Sequence, residues 1–188
     1  NGNLDPTFNP GTAADGPVLA MALQPDGKIL IGGSFSKIDG TTRRNIARLN
    51  ADGSLDTSFN AGTDNTVYAL AVQPNGKIIA GGNFTTVNTW VHNGIVRLNT
   101  DGSRDTTFSA SVTDTTTAYV YTIAVKPNGK ILIGGSFTKV NNVPRNRVAQ
   151  LNTNGSLDTS FDPGTGANSS VRSLNIIKYS GQVIVSGY

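Results

Sequence analysis

An eleven-residue motif occurs three times in the chain and places acidic and amide side chains at alternate positions. The copies are LNADGSLDTSF (49–59), LNTDGSRDTTF (98–108) and LNTNGSLDTSF (151–161). Hard cations such as Ca²⁺ bind several oxygen ligands, and alternate Asp or Asn residues in a loop can supply them. The motif is therefore a candidate calcium loop, and its candidate ligands are Asp52, Asp56, Asp101 and Asp105.

Three features of the same motif argue against a metal. Its glycine directly follows the second acidic position, whereas the EF-hand loop has glycine at position 6 and closes with a bidentate Glu, and this chain contains no Glu. The third copy has Asn154 where the others have Asp. The alternative is a hairpin in which Asp-Gly or Asn-Gly forms the turn and the later Asp bonds to nearby backbone groups. We favour the hairpin and expect no metal and no cofactor.

Catalytic chemistry has little support in the sequence. The chain has one histidine, His92, and no cysteine, so neither a catalytic triad nor a thiol nucleophile has recognisable partners. Paired carboxylates can hydrolyse glycosides, but the Asp residues recur in the repeated motifs, as scaffold residues do. We therefore expect that the protein is not an enzyme.

Binding residues are better sought where the copies differ. Three equivalent segments read SKIDGTTRR (36–44), TTVNTWVHN (85–93) and TKVNNVPRN (138–146). An exposed Trp can stack on a sugar ring, and Arg can bind carboxylate or phosphate. The candidate ligand-binding residues are Trp90, His92, Arg43, Arg44 and Arg145. The alternative, which we favour, is that Trp90 covers the edge of its sheet and that the Arg side chains are solvated.

A second repeated block shows that the whole chain is an array. PDGKILIGGSF (25–35), PNGKIIAGGNF (74–84) and PNGKILIGGSF (127–137) recur, and a weaker copy, YSGQVIVSGY, occupies 179–188. The spacings from Pro25 to Pro74, Pro127 and Tyr179 are 49, 53 and 52 residues. A period near fifty indicates repeated copies of one supersecondary unit.

Each unit contains four strand-like segments. In the first unit they are VLAMALQ (18–24), KILIGGSF (28–35), NIARLN (45–50) and LDTSF (55–59). The Pro-Asp-Gly turn between the first two predicts a hairpin, because Pro fixes φ and Gly permits positive φ. We expect four antiparallel strands in each unit.

The second segment indicates how the units pack. KILIGG is continuously apolar, which is typical of a strand covered on both faces, and no helical segment is available to cover it. The layers must therefore be copies of the same sheet, as in the blades of a β-propeller. The paired glycines at 32–33, 81–82 and 134–135 would allow close approach. A parallel β-helix fits less well, because its coils are shorter.

These two blocks in fixed order resemble the delta-60 repeat family of bacterial β-propeller domains. The resemblance covers essentially the whole chain, although the fourth copy departs from it by lacking the Pro and Lys. It implies a propeller fold and a setting in large secreted or surface proteins, and it supplies no catalytic residues.

The predicted architecture is an all-β propeller of four-stranded antiparallel blades, in one repeat array over 1–188 with about 3.5 repeats. The predicted parts are a leading strand (4–9), repeats at 10–59, 60–108 and 109–161, and a partial repeat at 162–188. The polar segment 109–118 is the predicted protruding loop. This count leaves the ring incomplete, so we expect an isolated chain not to be a stable monomer.

The charge and the apolar runs of the sequence narrow the classes of function that we expect. The net charge of +3 is dispersed, which argues against nucleic acid, and the short apolar runs argue against membrane insertion. We expect a non-enzymatic module of a bacterial extracellular or cell-surface protein, acting in adhesion, recognition or rigid display, with a glycan or protein ligand. The alternative is a structural subunit or fragment that joins further blades or copies in a filament, a surface layer or a completed propeller.

Overall fold

The fold consists of short β-strands and turns. In the computed structural model, residues 5–177 and 181–187 are described, and none of these residues is helical. It follows that none of them forms a helix able to span a membrane. The strands, in chain order, are β1 (Val18–Leu23), β2 (Ile29–Gly33), β3 (Lys37–Ile38), β4 (Thr41–Thr42), β5 (Ile46–Leu49), β6 (Val67–Val72), β7 (Ile78–Gly82), β8 (Thr86–Val87), β9 (Trp90–Val91), β10 (Ile95–Leu98), β11 (Val112–Thr113), β12 (Tyr119–Val125), β13 (Ile131–Ser136), β14 (Lys139–Val140), β15 (Val143–Pro144), β16 (Val148–Leu151), β17 (Val171–Ile176) and β18 (Val183–Gly187).

Four antiparallel sheets follow one another along the chain, and we call them blades 1 to 4. Blade 1 has the order β1-β2-β5, blade 2 β6-β7-β10 and blade 3 β12-β13-β16, while blade 4 comprises β17 and β18. The predicted first, second and third strands are thus confirmed in position. The predicted turn is also present: Gly27 has φ of +83°, and the Gln24 N–H donates to the Lys28 carbonyl across 2.8 Å.

Most of the core lies between the blades, and one smaller cluster around Phe35 lies within blade 1. Leu30 and Ile46 of blade 1 pack with Val67 and Ile78 of blade 2, and equivalent clusters join blades 2 and 3 and blades 3 and 4. The first strands of successive blades also contact one another. Sheets stacked face to face with their first strands adjacent are the arrangement of propeller blades around an axis. The continuous apolar runs are explained, because both faces of blades 2 and 3 are covered.

The paired glycines lie at these contacts, which confirms the prediction of close approach. A Cβ added to Gly32 would lie 2.7 Å from Cγ1 of Val67 in the next blade. A Cβ on its neighbour Gly33 would lie 2.0 Å from the Pro17 carbonyl oxygen of the same blade. Gly32 therefore allows the next blade to approach closely, and Gly33 allows the first strand of its own blade to do so.

The predicted fourth strand is reduced to a single residue pair, so that no blade has four full strands among the described residues. In blade 1, Leu55 pairs with Leu49 in an isolated bridge, and the chain then turns. The Asp56 carboxylate accepts hydrogen bonds from the backbone N–H and the hydroxyl of Ser58, at 3.0 and 2.6 Å. These side-chain bonds favour a turn over continued strand pairing.

The segments between the second and third strands form small hairpins that the sequence analysis missed. These hairpins are β3–β4, β8–β9 and β14–β15. In blades 1 to 3, the chain entering the blade is anchored by an Asp side chain to residues at the start of its hairpin. In blade 2, for example, Asp64 accepts from the backbone N–H groups of Thr85 and Thr86, at 2.8 and 2.9 Å.

Two further predictions need correction. Residues 5–9 of the predicted leading strand form a turn, in which Asp5 accepts from the Thr7 N–H at 2.9 Å; Leu4 lies outside the described residues. The predicted protruding loop at 109–118 is partly built into the fold. Its strand β11 pairs with β14, and Val112 is buried because its side chain packs in the core between blades 2 and 3. Residues 178–180 and 188 of the fourth copy lie outside the described residues.

Candidate functional site

The acids of the repeated motif are engaged by neighbouring side chains. In blade 1, the Asp56 carboxylate accepts from Lys28 Nζ at 2.7 Å and from Arg48 Nε at 2.8 Å. Blade 2 repeats this arrangement around Asp105, with Lys77 and Arg97 at 2.7 and 2.6 Å. Two of the four candidate metal ligands, Asp56 and Asp105, thus bind the cationic side chains of their own blade.

The arginine of this cluster also joins neighbouring blades. Arg48 donates through Nη1 to the Thr100 carbonyl of blade 2, and its guanidinium lies 4.9 Å from the centre of the Phe59 ring. Arg97 donates in the same way to the Thr153 carbonyl of blade 3. The buried ion pair is therefore part of the contact between blades.

The ion pair and its hydrogen bonds set the ionisation of the motif acids. Burial raises the pKa of Asp56, but hydrogen bonds from Lys28, Ser58 and Arg48 outweigh that effect and hold this pKa well below its ordinary value. The balance is the same for Asp105. Both carboxylates are charged at neutral pH, as scaffold ion pairs require.

The exposed acid of each motif closes its own turn. Asp52 accepts from the backbone N–H and the hydroxyl of Ser54, at 2.9 and 2.6 Å, and Asp101 does the same with Ser103. The structure agrees with the hairpin interpretation of this motif. Among the described residues, no three acidic or histidine side chains come together as a metal site would require.

The candidate residues Arg43, His92 and Arg145 occupy equivalent positions, as the alignment predicts. Each backbone N–H donates to the carbonyl seven residues earlier, at 2.8 to 2.9 Å. The Nη1 groups of Arg43 and Arg145 donate to the carbonyl of the preceding residue. The three residues belong to hairpins on three different blades, so they do not form one site.

Arg43 and Arg44 line a shallow groove of about 210 Å³ between blades 1 and 2. Its other side is formed by residues 60–64 and by Thr86 and Asn88 of blade 2. The Arg44 carbonyl accepts from the Thr63 N–H at 3.1 Å, so that the floor of the groove is a backbone contact between blades. The groove is polar and open. Thr86 and Asn88 of its lining belong to the hairpin that carries Trp90, but Trp90 itself does not line the groove.

Trp90 lies at the surface of blade 2 beside a residue that the sequence analysis did not select. The indole is 55% exposed, and the guanidinium of Arg104 lies 4.7 Å from the centre of its ring. The next residue, Val91, is 74% exposed. We call Trp90, Val91, His92 and Arg104 the blade 2 patch.

Within this patch, His92 is half-buried and its pKa is lowered. Its Nε2 atom is buried and makes no hydrogen bond within the described structure. Burial, and secondarily the positive charge of Arg104, lower the pKa of His92 below its ordinary value. The imidazole is therefore neutral at neutral pH, and Arg104 carries the positive charge of the patch.

Arg104 could have been found from the sequence, since it departs from the repeat. The equivalent residues of the other motifs are Leu55 and Leu157. The aligned motifs show this departure, although the acids that mark the motif do not point to it. The tertiary structure brings this departure together with Trp90, which comes from a different hairpin.

A second cluster of non-repeated side chains lies on the first strands. At the bulge of each first strand, the repeat has Leu19, Tyr68, Tyr121 and Arg172. Tyr121 stacks on Tyr119 at 5.3 Å, and the Arg172 guanidinium lies 3.8 Å from the centre of the Tyr121 ring. These residues too depart from the repeat, and they lie outside the predicted site.

Comparison with known families agrees with the fold. A family model described as a domain of unknown function, DUF5122, β-propeller, matches residues 24–59, 73–108 and 126–161, which together make up more than half of the chain. These matches confirm the resemblance to the delta-60 repeat family. No curated protein matches the chain in sequence. With three matched repeats and stacked antiparallel sheets, the chain belongs to the DUF5122 β-propeller family.

Proposed function

We propose that the chain is a non-enzymatic recognition module of a bacterial secreted or cell-surface protein, and that the blade 2 patch binds an acidic glycan. The observation that carries this proposal is the position of the Arg104 guanidinium over the ring of the exposed Trp90. Indole faces stack on the apolar faces of sugars, and guanidinium groups bind carboxylates.

The repeat itself supports a binding role for this patch. Trp90 replaces the Thr41 and Val143 of the other hairpins, and Arg104 replaces a leucine, while the backbone of the hairpin is unchanged. The scaffold therefore does not require these two residues. Residues that depart from the repeat and meet at the surface are typical of a ligand site on a repeat protein.

Acidic and neutral oligosaccharides on a glycan array test this proposal. The variants Trp90→Thr and Arg104→Leu install residues that the repeat already uses at these positions, so each should keep its melting temperature. We expect each to lose acidic-glycan binding by at least about tenfold, the effect of about 1.4 kcal/mol. Arg145→Ala on blade 3 is the control and should bind as the natural chain does. If all three variants bound acidic glycans equally tightly, the blade 2 patch would be excluded as the binding site.

A second candidate function is assembly with further blades, and one surface favours it. Val18, Met21 and Leu23 of β1 form what we call the leading face, and their side chains are 41%, 71% and 70% exposed. The equivalent Val67 of blade 2 is fully buried by blade 1. An exposed apolar face of this kind is typical of an interaction surface.

Sedimentation over a range of concentrations tests association among copies. We expect the mass to rise with concentration and Met21→Asp to abolish the rise, because a carboxylate in the leading face opposes its burial. Thr42→Asp, on the exposed β4, is the control and should associate normally. A mass of one chain at every concentration, with cooperative melting, would contradict assembly among copies.

A further inference from the structure

The contacts between successive blades follow one rule. In each, a glycine of the second strand faces a valine of the next blade's first strand, and there is no space for a Cβ on that glycine. The distances from an added Cβ to the valine Cγ1 are 2.7 Å for Gly32 and Val67, 2.6 Å for Gly81 and Val120, and 2.7 Å for Gly134 and Val171.

A small residue of the first strand accompanies the glycine. Ala22 is paired with Leu30 in blade 1, and it packs against the cluster that contains Val67 of blade 2. Its counterpart in blade 3, Ala124, packs likewise against the cluster that contains Val171. We call the surface that a blade presents to its successor the trailing face. In blades 1 to 3 it carries alanine and glycine at these two positions.

Blade 4 departs from the rule at both positions. Asn175 pairs with Ile184 as Ala22 pairs with Leu30, so Asn175 occupies the alanine position. Ser186 pairs with Ser173 as Gly32 pairs with Ala20, so Ser186 occupies the glycine position. At these two positions, the trailing face of blade 4 therefore carries larger and more polar side chains than the trailing faces of blades 1 to 3.

We propose that the leading face of blade 1 binds a blade of the same repeat with alanine and glycine at the positions of Ala22 and Gly32. We also propose that Asn175 and Ser186 make blade 4 a weak partner for this face. The inference rests on the second proposed function and specifies which blade fits.

The physical reasons are steric and polar. Val18 is equivalent to Val67, which leaves no space for a Cβ on the opposing glycine, and serine adds both a Cβ and a hydroxyl. Overfilling a packed contact forces side chains or strands apart. The Asn175 amide would also lose hydrogen bonds to water when buried against an apolar surface. Copies of this chain therefore join head to tail only weakly.

Analytical ultracentrifugation of matched variants tests the rule. The double variant Asn175→Ala with Ser186→Gly gives blade 4 the trailing face of the other blades, and it serves as the docking probe. We expect it to self-associate at least tenfold more tightly than the natural chain, and Met21→Asp added to it to abolish the association. Val18→Ala in the natural chain makes space for Ser186 from the opposite side and should also tighten association.

The outcomes separate this inference from the function on which it rests. If neither the double variant nor Val18→Ala associates more tightly than the natural chain, the rule is wrong. It is also wrong if the association persists with Met21→Asp, since another surface is then involved. If the natural chain already associates through Met21 as tightly as the double variant, the proposed weakness of blade 4 as a partner is overturned while assembly of copies stands. If the double variant loses its β-sheet circular dichroism and so does not fold, the self-association of Val18→Ala tests the rule instead.

Discussion

At the scale of single residues, Arg104 shows how one departure from a repeat changes its surroundings. Its guanidinium lies over Trp90 and its charge lowers the pKa of His92, although burial contributes more to that shift. The patch therefore holds one permanent positive charge beside an aromatic surface. These three residues come from two sequence segments, 85–93 and 98–108, and each differs from its equivalents in blades 1 and 3.

His92 reports directly on this arrangement, because it is the single histidine in the chain. We expect Arg104→Leu to raise the pKa of His92 toward its ordinary value without reaching it, since burial, the larger cause, remains. An NMR titration of the imidazole protons measures the shift. Arg145→Leu on blade 3 should leave the titration unchanged, and an unchanged pKa in Arg104→Leu would show that its charge does not reach His92.

At the scale of elements, the turn after the third strand depends on a buried carboxylate. Asp105 joins Lys77, which directly precedes the second strand, Arg97 of the third strand and Thr107 of the turn itself. Arg97 then reaches the next blade through the Thr153 carbonyl. A single Asp therefore connects the turn, its sheet and the following blade, which explains why the repeat retains it.

We expect Asp105→Asn to lower the free energy of unfolding by about 3 kcal/mol at pH 7, because it leaves Arg97 buried without its carboxylate. The pKa of Asp105 is below its ordinary value in the folded chain, so its contribution is complete above the unfolded pKa of about 3.9 and is lost as pH falls through the folded pKa. Urea unfolding at pH 7 and pH 3 should show the difference between variant and natural chain shrinking in acid.

Asp101→Asn is the matched control for this measurement. Its carboxylate is exposed and closes a turn that Asn154 closes equally in the third motif, with the Ser156 N–H at 3.0 Å. We expect a change of less than about 0.5 kcal/mol. If both variants lost the same stability, the buried ion pair would not be the cause.

At the scale of the whole molecule, stability depends on how closely the blades approach. Three of the four apolar clusters lie between blades, whereas the fourth lies within blade 1, so much of a blade's apolar surface is buried only by its neighbour. The glycines at these contacts set the distance between sheets. The same dependence leaves the leading face of blade 1 exposed in the described structure.

Gly81→Ala measures this dependence, since its new Cβ would lie 2.6 Å from Cγ1 of Val120. We expect it to lower the free energy of unfolding by about 1 to 3 kcal/mol, through the separation of blades 2 and 3. Gly62→Ala is the control, because its Cβ would meet no atom closer than 3.6 Å, and it should change stability by less than about 0.5 kcal/mol. Equal unfolding midpoints in urea for the two variants would contradict a glycine-controlled contact.

The sequence by itself determined the repeat, the first three strands of each unit, the turns between them and the face-to-face packing of sheets. The hydrophobic pattern and the turn residues are local features of the sequence, and their repetition in successive units made them recognisable. Only the tertiary structure decided that LDTSF turns after one bridging residue, since the partners of Asp56 include Lys28, which lies far away in the sequence, directly before β2. The meeting of Arg104 with Trp90 was likewise decided in three dimensions, because a contact between separate hairpins leaves no local pattern in the chain.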